Sequence, residues 1–185
     1  MQQFLSRESH PYTGHELRSH WIRETFGVPG DAIVAFIGPC EVPTEALVDL
    51  ADVAARSYLR AALMLHVIME RFDVDLVGAV LRQRLLVALA AETLQQARPQ
   101  CMVQRRGDDL YVGDRKLSVS IATVSPVSTL IHLGINVDPW GAPVPAIGLE
   151  ELGVEPTDYA ARLLAAFVAE EEGVQEARAK VRGVP

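Results

Sequence analysis

Cysteine is scarce in this chain, which rules out a fold held together by a framework of disulfides. The 185 residues include two cysteines, Cys40 and Cys101, and disulfide-dependent domains carry several pairs. The first residues, MQQFLSRESHPY, contain no apolar signal core. We therefore expect a cytoplasmic protein. Because 49% of its residues are hydrophobic, residues 1–185 are long enough and apolar enough to form a single α+β domain.

Long apolar runs and an excess of positive charge are also missing. Apolar stretches such as Leu85–Ala91 fall well short of the roughly 20 residues that a membrane helix needs. The formal net charge is −7, and an acidic surface field repels the phosphates of nucleic acids. We expect neither a membrane nor a nucleic acid as a partner.

Several common catalytic motifs are absent as well. The chain has no P-loop and no G-x-G-x-x-G, and Ser125 and Ser128 lie in no G-x-S-x-G elbow. Its cysteines and histidines have no metal-ligand spacing, which favours small apolar cysteines and buried neutral histidines. A P-loop ATPase and a hydrolase triad are therefore excluded.

The first half of the sequence predicts helices and strands in alternation. Thr13 to Glu16 has the form of a capping box, so a helix is predicted over Thr13–Phe26. The apolar runs Asp31–Ile37 and Leu63–Met69 predict strands, while helical spacing predicts a helix over Asp73–Gln96. Between the two strands the pattern is ambiguous, although Thr44 is a possible cap for a short helix.

The second half changes to an alternating pattern. Gly113-Asp114 has the chemistry of a tight hairpin turn, and a last amphipathic helix is predicted over Thr157–Val181. The predicted strands lie within CMVQRR, LYV, RKLSVSIAT and VSTLIHLGINV. The fold class predicted is α+β, with a mixed, largely antiparallel sheet and helices packed mainly on one face.

A group of polar side chains in this hairpin region is the first candidate site. Alternation places Lys116, Ser118 and Ser120 on one face of a strand, and His132 and Asn136 on one face of the next. If the two polar faces coincide, they form a pocket for an anion or a nucleotide. The alternative is a solvent-facing sheet surface with ordinary polar alternation.

The turn before the hairpin is the second candidate. Arg105, Arg106, Asp108 and Asp109 surround a glycine, and such a group can hold a phosphate or a magnesium ion, with Asp108 as the metal ligand. In the alternative interpretation, the aspartates and the glycine only shape a turn, and the arginines pair with them at the surface.

A resemblance to a known family extends over nearly the whole chain. It is carried by the segments YTGHELRSHW, GDAIVAFIGPC, LRQRLLVA and RRGDDLYVGDRKLSVSIATVSPVSTLIHLGINVDPWGAPVPAIGLEELG. These segments resemble domain-of-unknown-function family 366. The resemblance implies a compact fold and supplies no activity.

The same hairpin region also resembles the catalytic core of biotin protein ligases and lipoate ligases. The ligase pattern is K-W-P-N-D-L, a short turn, G-R-K-h-x-G-I and then G-I-G-x-N-V-N, and GDDLYVGDRKLSVSI and HLGINVD take these places here. The resemblance implies that Lys116 matches the lysine that contacts the acyl carboxylate and phosphate. It further implies that Asp109 matches the aspartate of the first motif and Asn136 the asparagine on the nucleotide side.

This sequence also departs from the ligase pattern. Near GPCEV it has no counterpart of the adenylate loop rich in glycine and arginine. Val119 replaces the glycine that lets a ligand approach the strand closely, and Arg106 and Gly107 replace the tryptophan and proline of the first motif.

Two hypotheses about function follow. In the first, the protein is an enzyme of the ligase or acyltransferase kind that uses ATP with magnesium. Lys116 then steadies a carboxylate or phosphate, and Asp108 or Asp109 helps to hold the metal. In the second, it is a non-catalytic module that binds a small molecule or builds an oligomer. Trp140 and Val144 lie in a proline-rich loop, and an exposed apolar loop of this kind predicts a homodimer.

Overall fold

A mixed five-stranded sheet is the framework of the structure, a computed structural model that describes residues 1–184. The strands are β1 (Gln2–Leu5), β2 (Ala32–Val42), β3 (Leu59–Arg71), β4 (Val103–Arg106), β5 (Asp109–Val112), β6 (Arg115–Lys116), β7 (Ser118–Val124) and β8 (Thr129–Asp138). The large sheet has the strand order β1-β2-β3-β8-β7; β1 runs parallel to β2, and the other neighbours are antiparallel. A second, three-stranded sheet has the order β4-β5-β6.

Helices cover both faces of the large sheet, with the two long ones on the same side. These are α1 (Trp21–Phe26), α2 (Leu50–Ala54), α3 (Leu76–Ala97) and α4 (Pro156–Ala179). A core formed by β2, β3 and β8 with α3 and α4 fills one side, and a second core that includes residues of α1 fills the other. The predicted fold class, a largely antiparallel sheet with helices mainly on one face, is confirmed.

Most of the predicted elements lie where local patterns put them. Both apolar runs of the first half are strands, β2 and β3. The long helix α3 begins after its cap, Asp75, which accepts the N–H of Gly78 at 3.0 Å. Gly113 supplies the left-handed turn of the β5–β6 hairpin with φ 61°. Thr44 begins a short 3₁₀ helix, whereas α2 is capped by Asp49.

The prediction of a helix from Thr13 is wrong. The Thr13 N–H does donate to Glu16 Oε2 at 2.7 Å, as in a capping box. The Thr13 hydroxyl, however, donates to the same carboxylate, and the helix begins only at Trp21. Two distant contacts explain the difference, because Tyr12 forms a parallel bridge with Cys40 and the His20 N–H donates to Glu70 at 2.8 Å. Tertiary contacts thus hold this segment as turns.

None of the helices within residues 1–184 has the length and apolar character that crossing a lipid bilayer requires.

Candidate functional site

A pocket of about 210 Å³ opens beside the end of the large sheet, against the connection between β2 and β3. Its lining is mostly apolar, as in many sites for small molecules. The apolar walls include Val42, Leu47, Leu59, Val119, Ile121 and Val144. The polar and aromatic groups at its surface include Tyr12, Asp52, Arg60, Lys116, His132 and Asn136. Four of the residues proposed from the sequence therefore border one cavity: Lys116, Ser120, His132 and Asn136.

Lys116 is fixed in the pocket wall by its backbone. Its N–H donates to the Pro145 carbonyl at 2.9 Å, and its own carbonyl accepts the N–H of Ile147 at 3.0 Å. The side-chain amide of Asn136 donates to the same carbonyl at 3.2 Å. Asn136 thus connects β8 to β6 and helps to position the backbone of Lys116.

The Lys116 ammonium forms an ion pair with Asp109. The Nζ–Oδ2 distance is 2.7 Å, and the two side chains are 27% and 19% exposed. Burial alone would lower the pKa of Lys116, but the hydrogen bond and the charge of Asp109 outweigh it and the pKa is raised. Burial also raises the pKa of Asp109, against the opposing effect of Lys116. Lys116 therefore remains a cation at neutral pH and has two further N–H donors to offer a ligand.

The two predicted polar faces do not coincide. Across the β7–β8 pair, Ser118 lies opposite Ile135 and Ser120 lies opposite Leu133, and opposite residues of an antiparallel pair share a face. Leu133 and Ile135 belong to the core under α3 and α4. The serines therefore point toward the helices, and His132 lies on the other face. The expectation of one convergent polar patch is wrong in this respect.

The hydroxyls of both serines are engaged within the protein. Ser118 is fully buried and accepts the N–H of Leu110 at 2.8 Å. Ser120 donates to the Asp108 carbonyl at 2.8 Å and accepts from the Gln83 amide at 2.8 Å. Ser120 borders the pocket, but its hydroxyl connects β7 to the turn before β5 and to α3.

The predicted phosphate or magnesium turn lies at the surface, away from the pocket lining. Arg105 donates to the Gly107 carbonyl at 2.6 Å. Arg106 stacks on the Tyr111 ring at 4.7 Å. The Asp108 carboxylate is 3.6 Å from the Arg84 guanidinium and accepts from the Gln83 amide at 3.2 Å. Within residues 1–184, no group of three or more His, Cys, Asp or Glu side chains has the arrangement of a metal site.

ATP with magnesium does not fit the groups that this pocket presents. Triphosphate sites use cations, backbone N–H groups and a hard-metal ligand set. Here the β2–β3 connection contributes Asp49 and Asp52 to the lining, and their charges repel phosphate. The proposed metal ligand, Asp108, is already paired with Arg84.

Tyr12 and His66 are parts of this site that the sequence pattern missed. The Tyr12 ring stacks on His132 with centroids 3.9 Å apart and an interplanar angle of 10°. His66 Nδ1 lies 3.1 Å from His132 Nε2. The burial of His66 agrees with the buried neutral histidines expected from the sequence, but its pairing with His132 was not predicted. No local signal indicates that Tyr12 lies over β8.

The fold is that of the catalytic core of biotin protein ligases and lipoate ligases. A mutant biotin protein ligase from Aquifex aeolicus, in complex with biotin, superposes with a TM-score of 0.60 at 14% identity, over 95% of this chain and 72% of that one. Lipoate-protein ligase A bound with ATP gives 0.51 at 13% identity, over 92% and 85% of the two chains.

The particular family is then given by the sequence itself. The profile of the domain of unknown function DUF366 matches residues 1–182, and the chain belongs to that family. An uncharacterized protein of Methanocaldococcus jannaschii is 42% identical over 166 residues, which are 86% of this chain and 74% of that protein. A protein of unknown function from Pyrococcus horikoshi has the same structure throughout, with a TM-score of 0.94, 43% identity and complete coverage of both chains.

Proposed function

We propose that this protein binds a small carboxylic acid with an apolar chain, and that Lys116 contacts the carboxylate. The observation that carries the proposal is the position of Lys116, held by its ion pair with Asp109, in the wall of a mostly apolar pocket. An ammonium with unused donors binds a carboxylate, while apolar walls take up a hydrocarbon chain.

The electrostatics of the pocket support an acid of low charge. Arg60 also borders the cavity, so two cations contribute to its lining. Asp49 and Asp52 border it too and disfavour a ligand with several negative charges. A single carboxylate satisfies Lys116 without meeting strong repulsion from this acidic segment.

The similarity of fold is consistent with this class of ligand. The Aquifex aeolicus ligase is in complex with biotin, itself a carboxylic acid with an apolar chain. The lipoate ligase is bound with ATP, which makes ligation or acyl transfer the second candidate function for this protein. The acidic β2–β3 connection favours the binding function over that reaction.

A thermal-shift screen followed by calorimetry tests the proposal. The probes are straight-chain carboxylates from butanoate to decanoate, biotin and lipoate, each with and without ATP and magnesium. A ligand at one hundred times its dissociation constant stabilises a protein by roughly 2.7 kcal/mol. We expect an acid to stabilise the protein equally in both conditions. A response that requires ATP and magnesium would support the ligase instead.

The matched variants are Lys116→Met and Lys180→Met, because the chain has two lysines and Lys180 is exposed at the end of α4. A hydrogen bond to a charged group is worth about 1.5 to 3 kcal/mol, so Lys116→Met should weaken binding at least about tenfold. Lys180→Met should leave it unchanged. The double variant Lys116→Met/Asp109→Asn controls for the carboxylate left without its partner. Equal affinity in all four proteins would rule out the proposed site.

A further inference from the structure

Two histidines lie buried together behind the pocket. His66 on β3 and His132 on β8 are 0% and 2% exposed. Their facing nitrogens, His66 Nδ1 and His132 Nε2, are 3.1 Å apart. On its far side, His66 Nε2 lies 3.3 Å from the Gly38 carbonyl oxygen. The two imidazoles and this carbonyl thus form a continuous chain of hydrogen bonds.

The chemistry of the carbonyl determines where the protons are. A carbonyl oxygen only accepts, so His66 Nε2 carries a hydrogen. Burial lowers the pKa of His66 to about 3, which leaves the ring neutral with a lone pair on Nδ1. His132 Nε2 must then donate to that lone pair. Burial, with a smaller contribution from the charge of His66, also lowers the pKa of His132, so its Nδ1 carries no hydrogen.

The remaining nitrogen of this hydrogen-bond chain is His132 Nδ1. Within residues 1–184 it has no hydrogen-bond partner, and it is not among the fully enclosed atoms that lack one. His132 lines the pocket. Tyr12 covers one face of the ring at 3.9 Å, so the ring edge is the accessible part. A buried acceptor without a partner is costly unless a ligand or water donates to it.

We propose that His132 Nδ1 accepts a hydrogen bond from the ligand, so that the pocket selects acids whose apolar chain carries a hydroxyl or an amide N–H. This inference rests on the proposed acid-binding function and defines its ligand class more closely. Lys116 recognises the carboxylate, and His132 recognises a donor elsewhere on the same molecule. His66 is a positioning residue, since its only role toward the ligand is to fix the tautomer of His132.

The first experiment compares two series of probes that differ in one group. Straight-chain carboxylates from butanoate to decanoate are titrated beside the hydroxyl-terminated carboxylates of the same lengths. A neutral hydrogen bond contributes about 0.5 to 1.5 kcal/mol, which corresponds to a preference of roughly twofold to tenfold for the hydroxyl compound at the chain length that reaches His132. No preference at any length would overturn the inference.

Two substitutions distinguish the roles of the two nitrogens of His132. His132→Gln keeps a donor near the Nε2 position and loses the acceptor at the Nδ1 position, whereas His132→Asn places an amide oxygen where Nδ1 was. The hydroxyl preference should disappear in His132→Gln and persist in His132→Asn. His15→Gln, at an exposed histidine, is the control for substitution itself. Persistence of the hydroxyl preference in His132→Gln would overturn the proposal that His132 Nδ1 accepts from the ligand.

A measurement on the unaltered protein decides the tautomer without any variant that might misfold. Two-bond ¹H–¹⁵N correlation spectra distinguish a protonated from an unprotonated imidazole nitrogen. We expect His132 to be the Nε2–H tautomer at neutral pH, and an Nδ1–H signal or an imidazolium would overturn the inference. Failure of every acid to bind would overturn the proposed function, and the ligand class with it. Binding without the hydroxyl preference would overturn only the role of His132.

Discussion

The buried histidine pair predicts that the protein loses stability in weak acid. An unfolded chain has histidine pKa values near 6.5, whereas burial lowers the pKa of His66 to about 3. The unfolded state therefore binds more protons than the folded state between these values, and the stability of the fold decreases as pH falls. The contribution of His66 is complete above about pH 6.5 and is lost progressively toward pH 3.

The size of the effect follows from proton linkage. For one histidine that stays neutral in the fold, the free energy of unfolding decreases by about 2 kcal/mol between pH 7 and pH 5. The pKa of His132 is also lowered by burial and by His66, so the second ring adds to this loss. A loss of about 2 kcal/mol from one ring alone is a substantial part of the roughly 5 to 15 kcal/mol that stabilises a typical domain.

Guanidinium unfolding followed by circular dichroism at pH 7 and pH 5 measures this loss. Other groups also titrate between pH 7 and pH 5. The informative quantity is therefore the difference in the loss of unfolding free energy between wild type and His132→Gln, in which one titrating ring is removed. The variant should lose less stability than wild type over the same interval, because one buried ring no longer titrates. His15→Gln should behave as wild type. Equal losses in wild type and His132→Gln would refute the argument that the buried ring stays neutral.

Three further predictions concern packing, a buried hydrogen bond and assembly. A Cβ at Gly38 would stand 1.8 Å from the His10 carbonyl oxygen, so Gly38→Ala should lower the melting temperature strongly, whereas Gly183→Ala, with nothing near its Cβ, should not. Ser118→Ala leaves the buried Leu110 N–H without its acceptor and should cost about 1 to 3 kcal/mol in denaturant unfolding; an unchanged midpoint would contradict this. Trp140 is 71% exposed; we expect a dimer mass in sedimentation equilibrium and a shift toward monomer in Trp140→Ala, and a wild-type monomer at high concentration would disprove it.

Local patterns were sufficient for the elements whose structure depends on neighbours in sequence. Helical spacing located α3 and α4, and Gly113-Asp114 identified the β5–β6 hairpin. Alternation located the strands after Pro99, but the strand predicted within RKLSVSIAT is divided at Leu117 into β6 and β7, which belong to different sheets. Strand alternation pointed to Lys116 and the turn before the hairpin pointed to Asp109, and the hairpin brings their charged groups to 2.7 Å. Their pairing is a consequence of a turn only a few residues long.

The strand register of β7 on β8 and the contact between Tyr12 and His132 could not be predicted from local patterns. The turn between β7 and β8, in which the Ser125 N–H donates to the Ser128 carbonyl at 2.7 Å, sets the register of the two strands. In this register Ser120 lies opposite Leu133. A shift of one residue would have turned the serines toward the pocket, because side chains alternate between faces. Tyr12 reaches His132 only through the fold, since the two residues are far apart along the chain.

The pocket draws its recognising groups from two different sheets. Lys116 belongs to the small sheet, whereas His132 and Asn136 belong to the large one. Leu117 is the single residue between β6 and β7 along the chain, and it therefore connects the two sheets. A molecule bound by Lys116 at one end and by His132 at the other would therefore restrict the motion of the two sheets about Leu117. The β5–β6 hairpin would then be stiffer, and its backbone amides would exchange more slowly with solvent.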